Sequence, residues 1–335
     1  MKKVLIYFLV LTLSVFVIPS IVVAASVFFR FEPQKQAERP KLAAQENYSI
    51  GIYNHETKMI MEMDFEKYVQ GVLYGQMDPA SPIEALKAQA VATRSFLLDK
   101  MQTFEKEKNI PQHQGADLCT DGTHCLAWTS DETAQKNWGE KYTQFSQAVA
   151  QAVRETRGEY MKYKDQIVKG YSFAISNGKT EDVEDVWNTK LPYLKSVDSQ
   201  GDTKADGYTT EVKIENQLFL EALKPKVPEM KNYYDIKAVV GKMVMTKGGS
   251  VKNIKLAGRD FKGSEVQAMF GLRSSSFTIR FEENCVVFEV KGYGHGVGLS
   301  QAGAKYMAEQ GIGYQDILRH YYQGVDLVNL YKNNA

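Results

Sequence analysis

Two cysteines and two histidines fall inside the stretch HQGADLCTDGTHC, residues 113–125. His113, Cys119, His124 and Cys125 make a complete Cys2His2 donor set, the ligand types that hold zinc tetrahedrally. The spacing is not that of a zinc finger. His124 and Cys125 are adjacent, which calls for a kinked backbone, and Gly122 would permit one. The competing chemistry is a Cys119–Cys125 disulfide, which suits an oxidising compartment but leaves both histidines without a task. A full four-ligand set has no open position, so a metal held here is structural. Cys285, in the apolar stretch NCVVFEV, reads as a buried core thiol.

The stretch GYGHGVGLSQAG sets His295 between glycines. Such a loop lets backbone approach a ligand closely. A strand-to-helix turn capped by Ser300 explains the same residues. The glycines lack the strand–turn–helix context of a dinucleotide fold, and chain order alone supports no Ser–His–Asp arrangement. Residues 176–187, SNGKTEDVEDVW, are polar and then acidic. They read as a solvated loop, or as a loop facing substrate.

The elements that must position these groups are mixed. YSIGIYNHETKMIMEM alternates in two runs around Asn54–Glu56 and predicts a β-hairpin. Asp64 caps a short helix over FEKYVQGVLY that ends near Gly75. SPIEALKAQAVATRSFLLDKM predicts a long helix, with Ser81 as N-cap, Pro82 in the first turn and Glu84 closing a capping box. YTQFSQAVAQAVRETRG predicts another helix, closed by Gly158, and EYMKYKDQIVKGYSFAIS two strands joined at Lys164–Asp165. Downstream come a strand and helix in VKIENQLFLEAL, a hairpin turning at Gly248-Gly249, a helix in DFKGSEVQAMFG, a hairpin in SFTIRFEENCVVFEV and a closing helical pair. The pattern is α+β with antiparallel hairpins, and two lobes around a groove are the expected arrangement.

The formal net charge of +1 gives no global support to nucleic-acid binding. The 19 Tyr and 16 Phe suit an ordinary core and also carbohydrate binding. Residues 1–3 carry Lys2 and Lys3; the run Val4–Ala25 carries no charge. At ~1.5 Å per residue it spans roughly 33 Å, a bilayer core, and the lysines orient its N-terminus to the cytoplasm. An uncleaved anchor is the reading, with a cleaved signal peptide as alternative because the run ends in VAAS. Residues 26–46 then read as a tether and 47–330 as one extracytoplasmic domain, with the Cys/His loop inserted at about 102–142.

Four stretches together resemble the stage II sporulation protein D and amidase-enhancer family: YVQGVLYGQM, EALKAQAVATRSF, SNGKTEDVEDVW with LPYLKSVDS, and GYGHGVGLSQAGAKYMAEQGIGYQDILRHYYQG. The resemblance implies a lytic transglycosylase that cuts peptide-stripped peptidoglycan during engulfment, leaving 1,6-anhydro-MurNAc ends. It implies work in the mother-cell membrane facing the forespore septum, beside an amidase, stage II sporulation protein P, and a membrane protein, stage II sporulation protein M. Some clostridial members carry a zinc on two Cys and two His, which the resemblance extends to His113, Cys119, His124 and Cys125. The family reads Gly-Val-x-x-x-Glu-Met, its Glu being the general acid/base. Here Gly71, Val72 and Met77 match, but the acid position holds Gln76. A carboxamide has no titratable proton for the leaving oxygen. The chain is then a natural glycan-binding pseudoenzyme, a substrate-trapping variant, or an enzyme with a substitute carboxylate, for which Glu84 is nearest in sequence. The alternative class is a non-catalytic module that recruits or stimulates an amidase. Arg94, Ser176, Asn177, Tyr293 and His295 are the groove candidates taken from these stretches.

Overall fold

The computed structural model describes residues 48–106, 110–228, 230 and 235–332, which belong to one compact unit. The expected anchor at 4–25 and the tether at 26–46 lie outside the described residues. Among the described residues no helix is long and apolar enough to cross a membrane.

The predicted first hairpin is formed by β1 (Ser49–Asn54) and β2 (Met59–Asp64), paired antiparallel from Ser49↔Asp64 to Asn54↔Met59. The Asn54 side chain accepts the Glu56 and Thr57 amides and builds the turn. Asp64 caps α1 (Phe65–Gln76), its side chain accepting from the Glu66 and Lys67 amides. α2 (Ile83–Lys106) follows. It is buried from Leu86 to Leu98 except at Lys87, so it is a central helix rather than an amphipathic surface one. Helices and strands pack around it on several sides. The capping box expected at Ser81–Glu84 is replaced by a tertiary cap. The Glu84 carboxylate accepts the Tyr314 amide at 2.9 Å and so caps a helix 230 residues away.

The loop-rich stretch contains β3 (Leu118–Cys119), which adds parallel to β1, and α3 (Asp131–Trp138). Next come α4 (Tyr142–Glu155), β4 (Glu159–Tyr163), β5 (Gln166–Ile167), β6 (Ser172–Phe173) and α5 (Val183–Trp187). The small lobe is built from β7 (Thr209–Glu215), α6 (Asn216–Leu223), β8 (Val240–Met245), β9 (Val251–Leu256), β10 (Arg259–Lys262), α7 (Gly263–Phe270), β11 (Phe277–Phe281) and β12 (Cys285–Lys291). Its two antiparallel sheets, β11-β12-β7 and β10-β9-β8, enclose a hydrophobic core of their own, centred on Phe219, Phe270 and Phe288. The chain then returns to the main core through β13 (Leu299–Ser300), α8 (Gln301–Glu309), α9 (Tyr314–Tyr321) and β14 (Asp326–Asn329). β14 pairs antiparallel with β4, and β13 pairs parallel with β6. The fold is mixed α and β with mostly antiparallel sheets and two hydrophobic cores, as the pattern predicts.

Candidate functional site

His113, Cys119, His124 and Cys125 converge. Their ligand atoms all lie within 4.8 Å of one another. His113 Nε2 is 3.2 Å from both His124 Nδ1 and Cys125 Sγ, and His124 Nδ1 is 3.6 Å from Cys119 Sγ. The cysteines are free thiols, both buried. β3 delivers Cys119. A turn at Asp121, whose carbonyl accepts the Cys125 amide at 2.8 Å, delivers His124 and Cys125 side by side. Gly122 does not supply a left-handed kink. Its lack of a side chain instead admits Ala127, which an added Cβ would meet at 3.1 Å. Phe104, near the end of α2, stacks on His124 and stands edge-on to His113. The Cys125 thiol, with help from the histidines, holds Cys119 well below the ordinary thiol range, while Cys125 is pushed up as the protonated partner.

This knot is coupled to α1. Tyr68 Oη donates to the Cys119 carbonyl at 2.7 Å. Beyond Cys125, the chain lies across two glycines one helical turn apart. At Gly71 an added Cβ would stand 2.1 Å from Trp128 Nε1, and at Gly75 one would stand 3.0 Å from Thr129 Oγ1. The Thr129 amide donates to the Gly71 carbonyl at 3.0 Å. Directly after this clamped turn comes Gln76, the last residue of α1, half-buried and with no hydrogen-bond partner for its carboxamide among the described residues. Met77 is buried and in extended geometry, so the helix stops and the Gln76 side chain stands at its open end.

The His295 loop runs against the 171–181 segment. Gly292, Gly294, Gly296 and Gly298 all have positive φ. A Cβ at Gly298 would lie 2.1 Å from the Tyr171 carbonyl oxygen and one at Gly292 2.6 Å from that of Ile175, so only glycine fits. His295 packs among Tyr171, Phe173 and Trp187, at 4.9 Å from the Trp187 ring. Its Nδ1 accepts the Val297 amide at 3.1 Å. Loss of water pushes its pKa down to about 4, against the opposing bond to the Ser172 backbone, so the imidazole is neutral in the physiological range. On the far side α2 touches the same segment, where Gln89 donates to Ser172 Oγ at 3.0 Å.

The stage II sporulation protein family model matches residues 53–163. Stage II sporulation protein D of Bacillus amyloliquefaciens is 33% identical over 284 residues, covering 83% of this chain and 78% of that protein. The chain belongs to the stage II sporulation protein D family. The Bacillus subtilis (strain 168) protein of that name is 31% identical over 83% of this chain and 78% of its own length. The amidase enhancer of the same strain is 24% identical over 78% of this chain, but only 40% of its own length is covered.

Against this family background the groove candidates separate. Arg94 lies in the core, 0% exposed. Its guanidinium pairs with Glu66 at 2.8 Å and also donates to Thr156 Oγ1 and to the Val153 and Glu159 carbonyls. It is spent on holding α1, α2 and α4 together. Ser176 is also internal, its hydroxyl donating to Asp202 at 2.5 Å. Asp202 takes a second bond from Ser300, and burial raises its pKa against these donors. Asn177 is half-buried and donates to Ser276 Oγ at 3.0 Å. Tyr293 is 49% exposed and stacks under Arg273. Of the five, Tyr293 is exposed, and Asn177 and His295 are half-buried. Glu84, bound to Tyr314 and to Lys87, is committed to structure. Sequence reasoning missed Asp202, Trp187 and Glu181. The 180–182 stretch, read as solvated, is buried at Thr180, Glu181 and Asp182. Its only hint was a Thr-Glu-Asp run directly ahead of an apolar Val.

Proposed function

We propose that this chain binds peptide-stripped glycan strands of peptidoglycan in a sporulation cell-wall role, and that with Gln76 in place it cleaves them weakly or not at all. The observation that carries this is the position of Gln76. It has the length and hydrogen-bonding shape of Glu, stands unpartnered at the open end of a clamped helix, and has no proton to give. The carboxamide can donate to a glycosidic oxygen without protonating it. Lytic transglycosylation, forming 1,6-anhydro-MurNAc ends, is the activity the family resemblance assigns to a carboxyl at this point. A relative named amidase enhancer favours a second role, in which the bound chain recruits or stimulates an amidase such as stage II sporulation protein P, with stage II sporulation protein M as membrane partner.

Zinc on His113, Cys119, His124 and Cys125 is part of this proposal. With metal bonds of about 2.0–2.3 Å, tetrahedral ligands stand roughly 3.3–3.8 Å apart. Four of the six spacings among these atoms, at 3.2–3.7 Å, lie close to that range, and the whole set lies within 4.8 Å, so binding would draw the remaining ligands inward. A bound zinc would supply folding free energy and no open coordination site. The protein's own residues do the rest: the knot grips α1 through Tyr68, Trp128 and Thr129, and α1 holds Gln76 in place. We also place the domain outside the cytoplasmic membrane on the Val4–Ala25 anchor. Retention in the pellet after a carbonate wash is expected, and a soluble form starting at Ser26 refutes the anchor.

The test is incubation of the full chain and of Gln76→Glu with peptide-stripped glycan, followed by mass spectrometry for anhydro-MurNAc. The Glu variant is expected to cleave at least about 10²-fold faster with an essential carboxyl in its pH profile. Equal cleavage by both means another residue is the acid. An inert variant that still folds and binds glycan leaves the binding and recruiting role.

A further inference from the structure

The small lobe meets the main core at a buried carboxyl that no role above uses. Glu181 is 2% exposed. Its backbone amide donates to the Gly296 carbonyl at 2.7 Å, beside His295. Its Oε1 accepts the Ser250 amide at 3.1 Å, from the turn between β8 and β9. Two glycines make room for it. A Cβ at Gly248 would stand 2.4 Å from its carboxyl carbon, and one at Gly296 2.8 Å from its Cγ. The same turn touches Asn177. Gly249 lies against the Asn177 amide, and Ser276 Oγ both accepts from Asn177 Nδ2 and faces the Gly249 carbonyl. Glu181 Oε2, however, is buried and has no hydrogen-bond partner among the described residues.

We propose that Glu181 is a positioning residue whose carboxyl docks the β8–β9 turn of the small lobe against the His295 loop, and that the docked turn orients Asn177. The docking depends on protonation. Ionised, the carboxyl would keep a charge on an unpartnered buried oxygen. The surrounding charges are otherwise matched. From the α5 segment, Asp185 pairs with Lys252 at 2.6 Å, Asp182 faces Lys247 and Lys195, and Glu184 faces Lys190. From the glycine loop, His295 is neutral over the same range. Burial, reinforced by Asp185, raises the Glu181 pKa above its ordinary 4.5, although Thr246 and Ser250 oppose it. A raised folded-state pKa gives stability that is complete below the unfolded value and is lost as pH rises through the folded one.

The experiment compares the full chain with Glu181→Gln and Glu181→Ala. From pH 5 to pH 8 the parent's melting temperature is expected to fall more steeply than that of Glu181→Gln, which stays neutral throughout. Hydrogen exchange in residues 246–250, corrected for intrinsic pH dependence, should quicken over the same range in the parent and not in Glu181→Gln. The glycan readout rests on the reading above: Glu181→Ala is expected to bind peptide-stripped glycan about tenfold more weakly, and Glu181→Gln to bind as the parent does at pH 5. Identical pH slopes in parent and Glu181→Gln overturn the proposal, as does unchanged exchange at 246–250 in every variant. If Glu181→Ala fails to fold, the Gln pair decides. If no variant, parent included, binds glycan, the glycan reading falls while melting and exchange still judge the docking.

Discussion

Replacing Arg94 by Met separates a core role from a groove role. Arg94 is fully buried, and Glu66 beside it is 4% exposed. Three contacts join the pair: Nε to Oε1 at 3.1 Å, Nε to Oε2 at 2.9 Å, and a terminal guanidinium nitrogen to Oε2 at 2.8 Å. Arg94→Met keeps most of the volume and deletes the charge. Among the described residues Glu66 then retains only the Gly158 amide at 3.0 Å and the Tyr331 hydroxyl at 3.3 Å. Breaking one side of a buried pair costs about 3–5 kcal/mol, because the remaining charge stays uncompensated. For a chain of this size, with an unfolding entropy of about 2.1 cal/mol/K per residue, that lowers the melting temperature by about 4–8 °C. The double change Glu66→Leu with Arg94→Met removes both charges and is expected to recover most of the loss, since buried pairs are often replaceable by apolar groups. Thermal melts followed by circular dichroism read these differences, and glycan affinity is measured below the transition. The expected pattern is a large loss of stability, recovery in the double variant, and unchanged affinity of the folded protein. If Arg94→Met melts within about 2 °C of the parent and loses glycan affinity, Arg94 belongs to the groove and the core assignment is refuted.

Purified full chain is expected to carry one zinc, released by Cys119→Ser with a fall in melting temperature; metal analysis showing none, with a mapped Cys119–Cys125 bridge, refutes it. Gly71→Ala pushes a methyl to 2.1 Å from Trp128 Nε1 and is expected to cost about 1–3 kcal/mol by melting, and to lower cleavage by the Gln76→Glu variant measured below its melting point. An unchanged melting temperature would mean that the Cys/His loop does not grip α1.

The sequence by itself was sufficient for whatever local chemistry dictates. The first hairpin follows from alternation around Asn54, α1 from the Asp64 cap, and the β8–β9 turn from Gly248-Gly249. The four metal-type ligands sit within one short stretch, so their convergence needed only one turn and one two-residue strand. The family was legible too, because its motifs are contiguous. What only the tertiary structure decided is where each polar side chain spends its hydrogen bonds. Glu84 reads as a local cap but serves a helix 230 residues on, because the exposed N–H groups of α9 are brought to it by packing. Arg94 and Ser176 read as site residues but are consumed by Glu66 and Asp202, partners remote in sequence. Glu181 reads as part of a solvated or substrate-facing loop and is instead buried against the β8–β9 turn, because two glycines from different elements leave space for it there. Spacing along the chain encodes periodicity and turns; it does not encode burial, and burial determines whether a charged side chain meets substrate or holds the core together.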